Sequence, residues 1–399
     1  MKTVAVDIRP MCEEQWGGIS WFTHYLVEGL VNKAQQGKLR LVLFYNQRKL
    51  LYSHIVTLLK KWKAVPNVYV AGYRMPNKLL NLSMHFLRYP RLDDLLTIKQ
   101  YNNITIDKID YFIAPNLNFL ALTPKTKLIT ICHDLSWEIF PEFFTLKQRL
   151  WHNLINPKRF FGDSQHIVAV SQNTKQDLIN VYQIPEEKIT VIYPGIDHLH
   201  FRPQRDEQRF MRVIQKYHLP YRFILTVGTL EPRKNIETLI ESFAYLNPSD
   251  MHLVVVGKEG WKYDRIYRFW IASSAYKNIQ FVNNVSSSDL PAFYALAHAF
   301  VLPSFYEGFG LPVLEAMACG TPVVTSHGSS LPEIAADAAL FIDPYNIADI
   351  ARAIDTVLSD SSLRDTLKQK GIERAKRFTW RRTADEFFTL LTGQLTLPL

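Results

Sequence analysis

The chain has 399 residues, 47% of them hydrophobic and 21% charged, more than one hydrophobic core accommodates and unlike a disordered polymer. No apolar run reaches the roughly 18 residues of a membrane span, and Asp7 and Arg9 interrupt the apolar start in a way that argues against a secretory leader. Cys12, Cys132 and Cys319 are too far apart for a metal spacing or a disulfide framework and suit a reducing cytoplasm, while the net charge of +9 sits almost wholly in residues 1–200, where 24 Lys and Arg face 16 Asp and Glu.

Residues 2–8 read as a buried strand. Gly17 and Gly18 follow, then an amphipathic stretch from Ile19 to Leu30 with Phe22, Leu26 and Leu30 on one face. Further strands are predicted at 41–45, 68–71, 111–114, 128–132 and 167–171, with helical patterns between them. The second half repeats the plan without repeating the sequence. Strands are expected at 223–227, 253–256, 279–282, 299–302, 322–325 and 339–342, and helices at 236–245, 289–297, 347–358 and 380–391. A Pro- and Gly-bearing stretch from Pro194 to Pro203 marks the break. The pattern predicts an α/β protein of two doubly wound domains, 1–200 and 201–378, and a terminal helix and tail, 379–399, crossing back to the first. Two such domains facing one another would form a cleft at the carboxyl ends of their strands, where ligands bind in sheets of this kind.

Two strings carry chemistry in the second half. The first is Glu307-Gly308-Phe309-Gly310-Leu311-Pro312-Val313-Leu314-Glu315, just after a predicted strand. Gly308 and Gly310 let a turn approach a ligand. Pro312 suits a first helical turn, whose amides would cradle a phosphate with help from the helix dipole. Glu307 then falls in the loop and Glu315 about one turn into the helix, where both carboxylates can accept hydrogen bonds from sugar hydroxyls. Two glutamates alone are equally well explained as an acidic helix start that complements the dipole. The second string is Val227-Gly228-Thr229-Leu230-Glu231-Pro232-Arg233-Lys234-Asn235, a glycine turn with an Arg-Lys pair before a helix that Asn235 can cap. Such a pair can clamp a diphosphate, Arg in a bidentate manner and Lys as a point charge; in isolation, a solvated basic pair is the commoner case.

The first string, with its two glutamates eight residues apart, closely resembles the signature of the family-4 retaining glycosyltransferases of the GT-B fold. The resemblance implies two Rossmann-like domains, an N-terminal one for the acceptor and a C-terminal one for a nucleotide-sugar donor. It implies that Glu307 contacts donor-sugar hydroxyls, that Glu315 holds the ribose, and that the amides of Phe309, Gly310 and Leu311 approach the diphosphate, near Gly228. The family's Arg-Lys-Asn motif assigns Arg233 and Lys234 to the leaving diphosphate. Its His-Asp pair matches His133-Asp134, which places His133 near the anomeric carbon without making it a general base, and leaves Asp134 to support the loop. Its Gly-Gly loop matches Gly17-Gly18, although Ser20-Trp21-Phe22 departs from the family's continuation. The segment Val170-Ser171 to Lys175 matches a family strand end and capped helix start. The stretch Val254 to Tyr263 resembles the mannosyltransferase branch and implies GDP-mannose as donor, with the base met by the loop bearing Asn284 and Val285.

The implied activity is retaining transfer of a hexose to a glycan or lipid-linked oligosaccharide acceptor during synthesis of a cell-surface polysaccharide such as lipopolysaccharide. No cofactor or metal is expected, since no Asp-x-Asp pair ends a strand. The location implied is cytoplasmic, at the inner face of the plasma membrane. A basic first domain attracts nucleic acid, anionic lipid or phosphorylated substrates. Nothing resembles a nucleic-acid-binding motif, whereas Lys147, Arg149, Trp151, Lys158, Arg159, Phe160 and Phe161 together suit an anionic membrane or else form an ordinary amphipathic helix with its aromatics in the core. Two other readings stay open at this level: another GT-B enzyme, using a UDP- or ADP-sugar with a soluble acceptor or epimerising a sugar nucleotide, and a non-catalytic carbohydrate-binding or scaffold subunit.

Overall fold

Short runs rich in Val, Ile, Leu and Phe cannot leave either face in water, so they pair side by side as parallel strands with helices over both faces. The computed structural model describes residues 1–101, 104–203 and 206–393, and they divide into two units, each built this way.

The first unit comprises residues 1–135, 150–195 and 380 onward. Its strands are β1 (Lys2–Asp7), β2 (Leu39–Asn46), β3 (Val68–Tyr73), β4 (Tyr111–Ala114), β5 (Lys127–Cys132), β6 (His166–Ala169) and β7 (Ile189–Val191). All pair in parallel in the order β3-β2-β1-β4-β5-β6-β7. The expected strand at 167–171 stops at Ala169, because Ser171 is taken as a cap: its side chain accepts from the Thr174 amide and starts the helix Gln172–Tyr182. The helix Gly18–Gln35 packs against the helix Trp380–Thr392. Tyr25 stacks on Trp380 with ring centroids 4.7 Å apart, Phe22 meets both Trp380 and Phe387 edge-on, and a Cβ on Gly29 would lie 2.2 Å from that of Ala384.

The second unit comprises residues 136–149 and 196–379. Its strands are β8 (Phe223–Val227), β9 (His252–Val256), β10 (Ile279–Val282), β11 (Ala299–Leu302), β12 (Val323–Ser326) and β13 (Ala339–Ile342), in the order β10-β9-β8-β11-β12-β13. A core of Ile224, Phe243, Leu253, Val255, Val301 and Ile354 lies under the helices Ile236–Leu246 and Ile347–Ser359. Residues 136–149 depart from the expected unbroken 1–200 stretch. The reason is aromatic: Phe143 stacks on Phe305, Phe140 packs against Tyr306 and Phe144 stacks on Trp261. The Trp261 indole N–H donates to the Phe143 carbonyl at 2.7 Å. The unit's own boundary falls at 195/196.

In both sheets the strand order reverses at one place, between β1 and β4 and between β8 and β11. The carboxyl ends of the strands flanking such a reversal diverge and leave a crevice.

Candidate active site

The two strings of the second half leave the sheet at this reversal. Gly228 to Lys234 follows β8, and Pro303 to Gly310 follows β11. Backbone geometry ties them together. The Phe305 amide donates to the Arg233 carbonyl at 3.0 Å. The buried Asn235 side chain donates to the carbonyls of Pro303, at 3.0 Å, and Pro344, at 2.7 Å, and accepts from the Thr238 hydroxyl. The expected side-chain cap from Asn235 to its helix is therefore absent. With its backbone left-handed at φ 56°, the residue points its amide at the β11 loop instead.

Glu307 is the centre of this site. Its carboxylate accepts from Arg233 Nη1 at 2.8 Å, Lys234 Nζ at 2.6 Å and Ser304 Oγ at 2.7 Å. Arg233 also donates to Glu231, at 2.6 Å, and to the Tyr306 carbonyl, at 2.7 Å. Glu231, Lys234 and Glu307 are buried. Burial pushes the Glu307 carboxyl up, but the Arg233 and Lys234 charges and the hydrogen bonds from Lys234 and Ser304 outweigh it and bring it down to about 2. The carboxylate is ionised, and the formal charges of Arg233, Lys234, Glu231 and Glu307 cancel. Ser330 Oγ donates to the carbonyls of both Glu307 and Phe309 and so fixes the loop's path.

The helix Leu311–Cys319 begins where expected, with Pro312 in its first turn. Gly310 is its cap at φ 102°, a backbone that side chains rarely adopt, and a Cβ there would lie 2.8 Å from Leu331. The Phe309 ring is buried against Phe378, so only its backbone faces the turn's chemistry. Glu315 lies one turn into the helix and accepts from the Tyr294 hydroxyl at 2.7 Å. Burial pushes its carboxyl up to about 7, against the pull of the Tyr294 hydrogen bond and the Lys234 charge. Two carboxylates eight residues apart are thus held in opposite protonation regimes.

Gly228 leaves room for Lys234, whose Cε would be 3.1 Å from an added Cβ. In the Val254–Tyr263 stretch, a Cβ on Gly257 would lie 1.8 Å from the Gly228 carbonyl oxygen, and Trp261 anchors Phe143. Gly257 makes a close packing contact, and Trp261 a hydrogen bond and a ring stack. Asn284, at φ 58°, and Val285 lie in the loop after β10, at the edge of the sheet.

In the first unit, His133 follows β5 and its Nε2–H donates to the Pro115 carbonyl at 2.8 Å. That bond makes Nδ1 the acceptor of the neutral ring. Burial lowers its pKa, more than the Pro115 bond and Asp134 raise it. Its ring packs edge-on against Phe22 of the helix that Gly18 opens. Gly17 caps that helix at φ −98°, and a Cβ on either glycine would meet no atom within 4 Å. Neither close packing nor a left-handed backbone requires glycine there.

Four participants escaped the sequence reading: Glu231, Ser304, Tyr294 and Ser330. Glu231 lies inside the basic string and Ser304 three residues before Glu307, so spacing could have marked both. Tyr294 lies 21 residues from Glu315 and carries no local signal.

Residues 207–374 match the model of glycosyl transferases group 1, and residues 16–198 match that of glycosyltransferase family 4. O-antigen chain mannosyltransferase B of Escherichia coli is 34% identical over 276 residues, which is 67% of this chain and 71% of that protein. Serotype-specific mannosyltransferase WbdA of Escherichia coli is 30% identical over 266 residues, 65% of this chain but only 32% of the longer protein. Among solved structures, sucrose-phosphate synthase from Thermosynechococcus elongatus has the same fold, with a TM-score of 0.73 at 19% identity over 99% of both chains.

Proposed function

We propose, since this chain belongs to the group 1, family 4 glycosyltransferases, that it transfers mannose from GDP-mannose to a glycan or lipid-linked oligosaccharide. Membership makes it a hexosyltransferase of the GT-B class, with a sugar nucleotide as donor. The mannosyltransferase relatives of O-antigen chains support a place in polysaccharide synthesis. The mannosyl donor, retention of configuration and a lipid-linked acceptor at an anionic membrane are our reading. No helix among the described residues is long and apolar enough to cross a membrane.

The observation that carries the reading is the Arg233–Glu307–Lys234 cluster at the strand-order reversal. A sugar diphosphate gains negative charge on the leaving group as the glycosidic bond breaks. Arg233, Lys234 and the amides at the start of the Leu311–Cys319 helix are the groups that would oppose this charge without reorganising. Glu307 holds the two cations in place beforehand. A carboxylate accepts about four hydrogen bonds; Oε1 takes Lys234 and Ser304, and Oε2 takes Arg233, which leaves room on Oε2 for a sugar hydroxyl. Glu315 is assigned the ribose, Gly228 and the Gly17–Gly18 turn the diphosphate, and Asn284 and Val285 the base. His133, neutral and weakly basic, is assigned hydrogen bonding to the sugar rather than proton abstraction. The charge-neutralising part often played by a cation falls here to Arg233 and Lys234. Activity is expected to persist in EDTA, and its loss on chelation would overturn that part.

Thermal unfolding in the presence of GDP, UDP and ADP tests the donor, since a ligand that binds only the folded state raises the midpoint. Stabilisation by GDP alone is expected, followed by GDP-mannose turnover with an α-linked product. Selective stabilisation by UDP or ADP would replace the donor, and no shift with any nucleotide would remove the transferase reading.

A further inference from the structure

Residues 29–92 contain twelve Lys and Arg and no Asp or Glu. No other feature of the chain concentrates charge so strongly: the whole molecule carries only +9. The segment forms β2, β3 and the helices around them at one edge of the first unit's sheet, β3 being the edge strand. Within it, the helix Asn77–Phe86 has two apolar faces. Leu80 and Met84 are buried. At helical spacing on the other side stand Leu79, Leu82 and Phe86, exposed by 65%, 54% and 68%, and Leu87 and Tyr89 follow, equally open to solvent. Arg74, Lys78, Arg88 and Arg91 border this stripe. Five large apolar side chains within eleven residues are more than solvation tolerates without a purpose.

We propose that this stripe is a membrane-docking face, which inserts Leu79, Leu82 and Phe86 among the acyl chains of an anionic leaflet while Arg74, Lys78, Arg88 and Arg91 meet lipid phosphates. Charge complementarity selects the occupant. An apolar stripe flanked in sequence by four cations, within a run of 64 residues that carries no acid, matches the boundary between acyl chains and anionic headgroups; a nucleic acid would satisfy the cations but leave the leucines in water. The position differs from the 147–161 segment suggested by sequence: Leu146, Leu150, Trp151 and Leu154 are exposed there too, but Phe161 is fully buried against Tyr182, Arg159 is paired with Asp163, and Glu138 and Glu142 precede the helix, so that segment lacks the acid-free run of residues 29–92. The inference deepens the lipid-linked acceptor reading and rests on it only for its purpose.

The test is vesicle binding without any sugar nucleotide. The native cysteines are all buried, so Leu79→Cys can carry a polarity-sensitive fluorophore. With vesicles of phosphatidylcholine mixed equally with phosphatidylglycerol, a blue shift and co-sedimentation are expected; with phosphatidylcholine alone, neither is. The double change Leu82→Ser, Phe86→Ser should weaken partitioning by about tenfold or more, from the lost apolar area. Lys78→Gln with Arg88→Gln should weaken it about tenfold and flatten its salt dependence. Circular dichroism should leave all variants folded, since every altered side chain is exposed. Equal binding by wild type and both double variants, no shift of the probe, preference for a single-stranded RNA over vesicles, or a dimer broken by the serine changes would each overturn the proposal. Transfer to a soluble acceptor is measured separately. Its persistence without vesicle binding would sink the docking face alone, whereas its absence with binding intact would sink the transferase reading alone.

Discussion

At Glu307, one carboxylate holds two cations in a place that water barely reaches. Removing one partner from such a buried cluster leaves an uncompensated charge, so Glu307→Ala should lower stability by about 3 kcal/mol, read as the midpoint in urea. Glu307→Gln keeps the shape but leaves the same uncompensated positive charge beside Arg233 and Lys234, so it should cost stability comparable to Glu307→Ala while lowering kcat by about a hundredfold through loss of prepositioned charge. The two glutamates give opposite pH dependences. Glu307 ionises near 4.5 when unfolded and at about 2 when folded, so its stabilisation is present above pH 4.5 and is lost as pH falls towards 2. Glu315 rises from 4.5 to about 7 on folding. Its contribution is present below pH 4.5 and disappears as pH rises through 7, at a cost of at most about 3 kcal/mol. Glu315→Gln should therefore raise the melting temperature above pH 7 and have little effect below pH 4.5, while weakening nucleotide binding. Melting curves across pH, with and without nucleotide, check both parts. Glu307, Arg233 and Lys234 were legible in the sequence because each stands in a contiguous string whose glycines and proline fix the local path. Asn235 was misread because its side-chain direction depends on a left-handed backbone that sequence does not show, and Tyr294 went unread because its partnership with Glu315 exists only after folding.

Among the elements, the helix pair Gly18–Gln35 and Trp380–Thr392 offers a sharp test of packing. The helices meet at Gly29 and Ala384 with no space for one more carbon atom. Gly29→Ala improves helix propensity by about 1 kcal/mol, yet overpacking opposes it by about 1–3 kcal/mol. We expect net destabilisation, and Ala384→Gly in the same chain should restore it, as a double-mutant cycle would record. A gain in stability from Gly29→Ala alone would show that the pair is looser than described. The same helix opens at Gly17 and Gly18, where added methyl groups have room. Alanine there should leave the unfolding free energy within about 0.5 kcal/mol of wild type while weakening donor turnover, which separates a functional glycine from a structural one. Most strands were legible as short β-branched runs bounded by turns. β7 was not: three residues at a sheet edge give periodicity nothing to work with. Nor was the departure of residues 136–149, which rests on Phe140, Phe143 and Phe144 finding aromatic partners more than a hundred residues away.

For the whole molecule, the units are not two consecutive halves of the chain. The backbone passes from one to the other after residues 135, 149, 195 and 379. Cutting within the Pro194–Pro203 stretch should therefore yield no independently stable piece comprising residues 1–195. That fragment lacks the Trp380–Thr392 helix and exposes Phe22, Tyr25 and Gly29. Rapid proteolysis of this fragment, and protection when residues 380–399 are supplied as a separate peptide, are the expected outcomes; a protease-resistant fragment alone would contradict them.

The late return of the chain also has a consequence in time. The ribosome finishes the last strand of the first sheet at residue 191 but does not begin the helix that covers Phe22 and Tyr25 until residue 380. At ordinary elongation speeds of about 5–20 residues per second, that gap is roughly 10 to 40 s. During it the second unit can already close while the first waits with an uncovered apolar groove. The nascent first unit is thus the part left uncovered during synthesis, until the helix Trp380–Thr392 closes over Phe22 and Tyr25.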